Sequence, residues 1–284
     1  MIFMDVVLQA AIVGLLQGLT EFIPISSSAH LELVPWIAGW ESDGLIGSLA
    51  FDVFLHLGTL VALLTYFARD WVRYIRAWVA SVRERRIGDD PDRRIAWLLV
   101  LATIPAAVIG FALEGFIEEA FHGDNDGARL AIAGFLVIGA AALWLADRLG
   151  SRRREMTDLT TRSALTIGLS QALALFPGIS RSGATITAGL ALGLTREAAA
   201  RFSFLLATPI TFGAGLYGSR RLLTEAHTGT EWLAIGVGFA VAAVSGLVAI
   251  RLLLAWLRRR SVAVFSVYRV AFALVIVILV AVGR

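Results

Sequence analysis

Residues 21–30 read EFIPISSSAH, which sets a carboxylate, a proline, three serines and an imidazole side by side in a chain that is otherwise strongly apolar. The whole sequence has 284 residues, 58% hydrophobic and 17% charged, with a mean hydropathy of +0.77. That balance excludes a soluble domain of ordinary composition and points to a polytopic membrane protein. Apolar runs of about 20 residues recur from end to end, the length an α-helix needs to cross a ~30 Å hydrocarbon core. Barrel strands would instead show short alternating runs. Irregular backbone at membrane depth survives only where protein or water satisfies its N–H and C=O groups, so the 21–30 stretch reads as the tip of a hairpin lining a cavity.

Working outward, six stretches read as full spans: about 51–68, 95–113, 129–146, 199–218, 232–256 and 265–283. Two others are interrupted. Residues 2–39 are broken by Pro24, the serines and Pro35, and residues 163–194 are broken at Phe176-Pro177-Gly178. Each is expected to form a helical hairpin. A continuous helix over 2–23 would be about 33 Å long, which is long for half a hairpin, so part of it is expected to tilt or lie at the interface.

All 25 basic residues are arginine and there is no cysteine. Disulfides and thiol chemistry are therefore excluded, and any phosphate recognition rests on guanidinium groups. The net charge of +3 suits loops beside anionic headgroups, and no basic motif interleaved with aromatics suggests nucleic acid. The N-terminus, MIFMDVVLQA, lacks a basic region and is not read as a cleaved signal.

Arginine is concentrated in 69–94, 148–162 and 258–260, which the positive-inside rule places in the cytoplasm. Glu41 and Asp43, and the stretch with Glu114, Glu118, Glu119, Asp124 and Asp126, are then external; Arg220 and Arg221 are the exception. On this assignment the first hairpin opens outward and the second inward. The two also align without a gap, GLLQGLTEFIPISSS (14–28) beside GLSQALALFPGISRS (168–182). The expected organisation is one membrane domain, 1–284, made of inverted repeats 1–150 and 163–284 joined by a cytoplasmic linker, 151–162. In such repeats, broken helices from opposite faces meet near the midplane and form the site.

Glu21 is costly in hydrocarbon and is a functional candidate by default. Gln17 lies one turn earlier on the same helical face, so the two side chains can address one ligand, including a divalent cation held by oxygen. Ser27 and His30, three residues apart, offer a nucleophile and a base, and Glu21 can orient the imidazole. Imidazole is itself a competent phosphoryl acceptor, so Ser27 and His30 both remain open as nucleophile. Ser26 and Ser28 also suit helix capping. In the second tip, Gly178 lets backbone approach a ligand, Ser180, Ser182 and Thr185 supply hydroxyls, and Arg181 supplies a fork for an oxyanion at a helix start near Ser182. His56 is read as structural packing.

At these residues the chain resembles the undecaprenyl-pyrophosphate phosphatase family, the bacitracin-resistance type of integral membrane phosphatase. The first family motif is matched by QGLTEFIPISSSAH (17–30) and the second by PGISRSGAT (177–185). FDVFLHLGTL (51–60) and RFSFLLATP (201–209) are similar to family sequence too, so the resemblance covers essentially the whole chain. Two departures stand out: Gln17 replaces the Glu of many members, and Ser28-Ala29 replaces the more usual Thr-Gly.

The resemblance implies an all-α polytopic fold with six spans and two re-entrant hairpins. It also implies a Mg²⁺ or Ca²⁺ requirement and hydrolysis of a polyprenyl diphosphate to the monophosphate for lipid-carrier recycling. Under it, Ser27, His30 and Glu21 are catalytic, Glu21 and Gln17 hold the metal, and Arg181, Ser180, Ser182, Thr185, Gly178 and Ser26 bind phosphate. The expected location is the plasma membrane, with access from the external face. The partners are the lipid substrate and membrane lipid, with a homodimer left open. The rival function is a transporter or flippase of a lipid phosphate or small anion using the same midplane pocket, a role that needs donors but no nucleophile and base.

Overall fold

The computed structural model describes residues 2–40, 44–121, 125–224 and 227–283, and their side chains except those of 2–5, 49, 114, 116–121 and 217–224. The described residues form α-helices joined by turns and three short 3-10 segments. The first half holds α1 (Ile2–Phe22), α2 (Ser27–Ala38), α3 (Leu49–Tyr66), α4 (Ala68–Glu84), α5 (Pro91–Phe121) and α6 (Asp126–Leu149). The second holds α7 (Thr161–Ser170), α8 (Arg181–Ala191), α9 (Arg196–Thr224), α10 (Gly229–Leu257) and α11 (Ala263–Ala281).

Five helical stretches are long and apolar enough to cross a bilayer: 91–113, 126–149, 196–216, 229–257 and 263–281. The chain is an all-α, multi-pass membrane protein. Five of the six expected spans correspond to these helices, the last running two residues past the end of α11; the expected span 51–68 instead overruns the end of α3 at Tyr66, and α3 qualifies only together with α4, to which it is bent by 79°. The 69–94 segment is thus not the plain arginine loop that its charge suggested: residues 68–84 continue as α4. Phe67 makes the corner, fully buried, with its ring against Tyr66 and Phe204. Glu41, Asp43, Asp124 and the side chains of Glu114, Glu118, Glu119, Arg220 and Arg221, which carry much of the outer-face charge reading, lie outside the described residues.

The first interruption falls at Pro24, between α1 and α2. Pro35 does not break the chain again but sits inside α2, which ends at Gly39 with a left-handed φ of 68°. In the second unit α7 stops at Ser170, a 3-10 segment covers Gln171–Leu175, and Pro177-Gly178 completes the turn before α8. The two breaks match in detail. Ser26 (φ 77°) and Ser180 (φ 71°) both hold positive φ, and both cap the helix that follows, accepting from Ala29 N at 3.4 Å and Gly183 N at 3.1 Å. Each also touches the hydroxyl two residues on, Ser28 at 3.1 Å and Ser182 at 3.2 Å. Positive φ at a non-glycine residue costs about 1–3 kcal/mol and persists only where surroundings over-determine it.

Helix packing follows small residues. α1 lies on α10 and α7 on α5, each at a glycine: a Cβ at Gly14 would lie 2.4 Å from Gly238 O, and one at Gly168 would lie 2.1 Å from Ala102 O. Such close backbone approach is how membrane helices gain van der Waals contact. The Gly168→Ala variant is expected to lose about 1–3 kcal/mol, since the obstacle is backbone and cannot rotate away. Thermal unfolding in detergent, followed by circular dichroism, reads this out.

Around these contacts lies one main core, in which Phe22 meets Phe204 edge-on at 5.4 Å. Arg269 of α11 is fully buried and donates to Gly178 O (2.7 Å), Ile179 O (3.0 Å) and Leu136 O (3.1 Å). It ties the second break to α6. Gly139 makes room for it, since a Cβ there would lie 2.0 Å from Arg269 Nη2.

Candidate active site

The two breaks deliver two helix starts to one carboxylate. Ser27 is the first residue of α2 and Arg181 the first residue of α8, so each follows a positive-φ serine cap. Ser27 Oγ donates to Glu21 Oε2 at 2.7 Å, and Arg181 Nη2 donates to Glu21 Oε1. The alignment of 14–28 with 168–182 sets Ser27 opposite Arg181. Equivalent positions therefore carry a hydroxyl and a guanidinium, both aimed at Glu21.

Glu21 itself sits in the last turn of α1 and is 7% exposed. Gln17, one turn back and fully buried, donates Nε2 to Glu21 Oε2 at 3.1 Å. His56 of α3 places Nε2 3.4 Å from the same oxygen, while its Nδ1 donates to Asp52 O at 2.8 Å. Arg181 is held on its far side by Thr211 of α9, with Nη1 donating to Oγ1 at 2.7 Å. Its planar fork thus spans two anchors, which a single ammonium cannot do.

The expected pairing of Ser27 with His30 is not formed. Ser26 O can only accept, so His30 Nδ1, 2.6 Å away, carries the proton, and His30 Nε2 accepts from the Tyr268 hydroxyl at 2.7 Å. The ring is stacked on Phe272 at 4.5 Å between centroids and on Tyr268 at 5.7 Å. With both nitrogens engaged, His30 has no lone pair for Ser27. What it does is hold the carbonyl of a strained residue at the tip of the first break.

Several of the remaining second-tip groups serve the backbone. Ser180 caps α8, and Ser182 reaches Ser180 Oγ and, at 3.5 Å, Ile23 O. Thr185 donates to Arg181 O at 2.8 Å and meets Ser203 Oγ at 2.6 Å, inside the helix packing. Gly178 (φ 102°) is pressed against α6, where a Cβ would lie 2.6 Å from Ile132 O. Of the residues expected in the site, the structure therefore gathers Gln17, Glu21, Ser27 and Arg181 at one point. Ser26, His30, Ser180, Ser182 and Gly178 shape the two tips, and Thr185 packs α8 against α9.

Four contributing residues were missed from sequence: His56, Thr211, Tyr268 and Arg269. Arg269 had a usable signal, a lone cation within the apolar run 263–283. Thr211 and Tyr268 carry no such mark.

For a metal ion, the relevant donors are hard oxygens. Gln17 Oε1 is buried with no hydrogen-bond partner among the described residues, on the side chain whose Nε2 bonds the Glu21 carboxylate. Among the described residues no group of three His, Asp or Glu side chains stands ready to hold an ion unaided. The pair fits a hard cation that takes its other ligands from substrate phosphate and water, as Mg²⁺ does beside one or two protein oxygens.

A family model, bacitracin resistance protein BacA, matches residues 10–275. A protein of Thermomicrobium roseum named undecaprenyl-diphosphatase is 45% identical over 97% of this chain and 99% of its own length. Proteins of the same name from Desulforudis audaxviator and Pelobacter propionicus are 44% and 46% identical, over 95% and 92% of this chain and 97% and 93% of theirs. The chain belongs to the bacitracin resistance protein BacA family.

Proposed function

We propose that this protein hydrolyses undecaprenyl diphosphate to undecaprenyl phosphate and inorganic phosphate within the membrane. The similarity to named diphosphatases over nearly the full chain supports the activity. One observation carries the mechanism: the Ser27 hydroxyl donates to a carboxylate whose other oxygen is held by Arg181. An anion transporter needs the guanidinium but has no use for a hydroxyl poised on a base.

Ser27 Oγ attacks the terminal phosphorus and its proton passes to Glu21. The bond from phosphorus to the bridging oxygen breaks, and undecaprenyl phosphate leaves with that oxygen, taking the proton from Glu21 and returning it to carboxylate. Water then attacks phosphoserine, giving up a proton to Glu21, and inorganic phosphate departs with Ser27 reprotonated. Arg181 swings part of its fork from Glu21 to the phosphoryl oxygens while Thr211 keeps its other arm fixed. Its charge then meets the substrate where negative charge concentrates. The starts of α2 and α8 add the positive ends of two helix dipoles. His56 packs its imidazole edge against the Glu21 carboxylate, and Gln17 fixes the orientation of that carboxylate. Positioning and charge neutralisation supply most of the rate, as in other phosphoryl transfers.

Glu21 and Gln17 Oε1 are the residues that would hold a Mg²⁺ or Ca²⁺ ion, and such an ion would neutralise diphosphate charge that Arg181 alone leaves uncompensated. The matched breaks at Ser26 and Ser180, and the matched glycine contacts at Gly14 and Gly168, support inverted repeats over 1–150 and 163–284. With the arginine-rich stretches on the cytoplasmic side, the first hairpin opens outward, and the site is read as accessible from the external face of the plasma membrane.

Purified protein in detergent, given a C55 diphosphate, is expected to release inorganic phosphate, with the rate falling at least about tenfold in EDTA and returning with Mg²⁺ or Ca²⁺. No release from folded wild type would move the assignment to anion transport, and release unaffected by EDTA would remove the cation.

A further inference from the structure

The helix α4 turns its faces the wrong way for a protein surrounded by water. Its packed side is polar: Tyr74 and Ser81 are buried, Ser81 Oγ accepts from Trp97 Nε1 at 2.8 Å, and Asp70 binds Arg201 of α9 at 3.0 Å. The outward side carries Val72, Ile75, Trp78 and Val82, 36–55% exposed. At 100° per residue these apolar positions fall on one arc, and Arg83, Arg76 and Arg69 line one edge of it. Arg69 and Arg76 help line a shallow groove with Arg73, which is itself paired with Asp70 at 2.8 Å and Asp92 at 3.3 Å. Among the described residues, Arg69, Arg76 and Arg83 are exposed and have no carboxylate within ion-pair distance.

The occupant of this face follows from its placement. α4 leaves the apolar helix α3 at 79°, so where α3 crosses the bilayer, α4 runs nearly in the plane of its surface. An in-plane helix with an apolar arc and a basic flank sinks its apolar side to the level of the upper acyl chains and keeps its arginines among the headgroups. We propose that α4 is an in-plane membrane helix whose Arg69, Arg76 and Arg83 edge selects anionic phospholipid headgroups. Arg73, neutralised by its two carboxylates, contributes shape to the groove. This surface is separate from the active site: His56 lies twelve residues before Ala68, about 18 Å along α3.

Because the chain has no cysteine, a single substitution, Ile75→Cys, takes one nitroxide label at an exposed position of the full-length protein. In nanodiscs containing phosphatidylglycerol, the label is expected to be relaxed by oxygen and protected from a water-soluble nickel chelate. Accessibility to nickel would leave the apolar arc facing water, or a protein partner, and overturn the placement. Native mass spectrometry from a mixture of phosphatidylglycerol and phosphatidylcholine tests selectivity. Wild type is expected to retain the anionic lipid preferentially, with the preference falling roughly fivefold for each of Arg69→Gln, Arg76→Gln and Arg83→Gln at low salt. Equal retention of the two lipids by wild type, or an unchanged preference in the triple variant, would refute it. If the triple variant does not fold, an unchanged preference in the three single variants refutes the assignment to this edge, and a fall in each supports it.

Discussion

Replacing Ser27 with alanine is expected to lower phosphate release by at least about a thousandfold, the scale on which loss of a nucleophile is felt. Folding should scarcely notice. Ser27 is half-buried and, among the described residues, makes one side-chain bond, to Glu21, which keeps Gln17, Arg181 and His56 when the hydroxyl is gone. The stability cost is therefore about 1 kcal/mol, that of an ordinary hydrogen bond. His30→Ala is expected to behave differently, lowering activity and melting temperature together. It removes the stack on Phe272 and the donor to the carbonyl of Ser26, a residue held at positive φ. Activity of the Ser27 variant within tenfold of wild type would sink its role and return the nucleophile to His30. The measurement is steady-state phosphate release beside thermal unfolding of both variants.

The second large effect is at Arg181. Arg181→Lys keeps a positive charge opposite Glu21, so the carboxylate is not left buried and alone, a loss that would cost about 3–5 kcal/mol. What it removes is the fork that spans Glu21 and Thr211. A lysine ammonium can face the carboxylate or the substrate but has no second arm to hold its position. Turnover is expected to fall about a hundredfold or more, the scale of losing a preorganised donor, with the fold intact. Full retention of activity would remove Arg181 from the transition state and leave it a structural partner of Glu21.

Much of this site is legible in the amino-acid sequence. Gln17 and Glu21 are separated by one helical turn, and the cost of a carboxylate in hydrocarbon marks Glu21 without further information. The two breaks are visible because proline and glycine interrupt apolar runs, and their likeness is visible in the aligned segments 14–28 and 168–182. Spacing does not reveal which imidazole meets Glu21. Ser27 and His30 are three residues apart on α2, yet the turn at Ser26 sends His30 toward α11 and leaves Glu21 to His56 of α3, a contact set by packing of helices distant in sequence. Thr211 is hidden for the same reason, as one of several hydroxyls on α9 whose meaning depends on what faces each. The helical character of 68–84 is masked by charge: its arginines read as a loop, while the apolar residues between them recur at helical spacing.

If Ser27 attacks phosphorus with Glu21 as its base, a phosphoserine lies between substrate and inorganic phosphate. Wild type mixed with undecaprenyl diphosphate labelled in the terminal phosphate, quenched within a single turnover and mapped for label, is expected to carry acid-stable phosphoserine at Ser27, absent from Ser27→Ala. Acid-labile label on His30, or phosphate release with no labelled protein at any time, would contradict attack by Ser27.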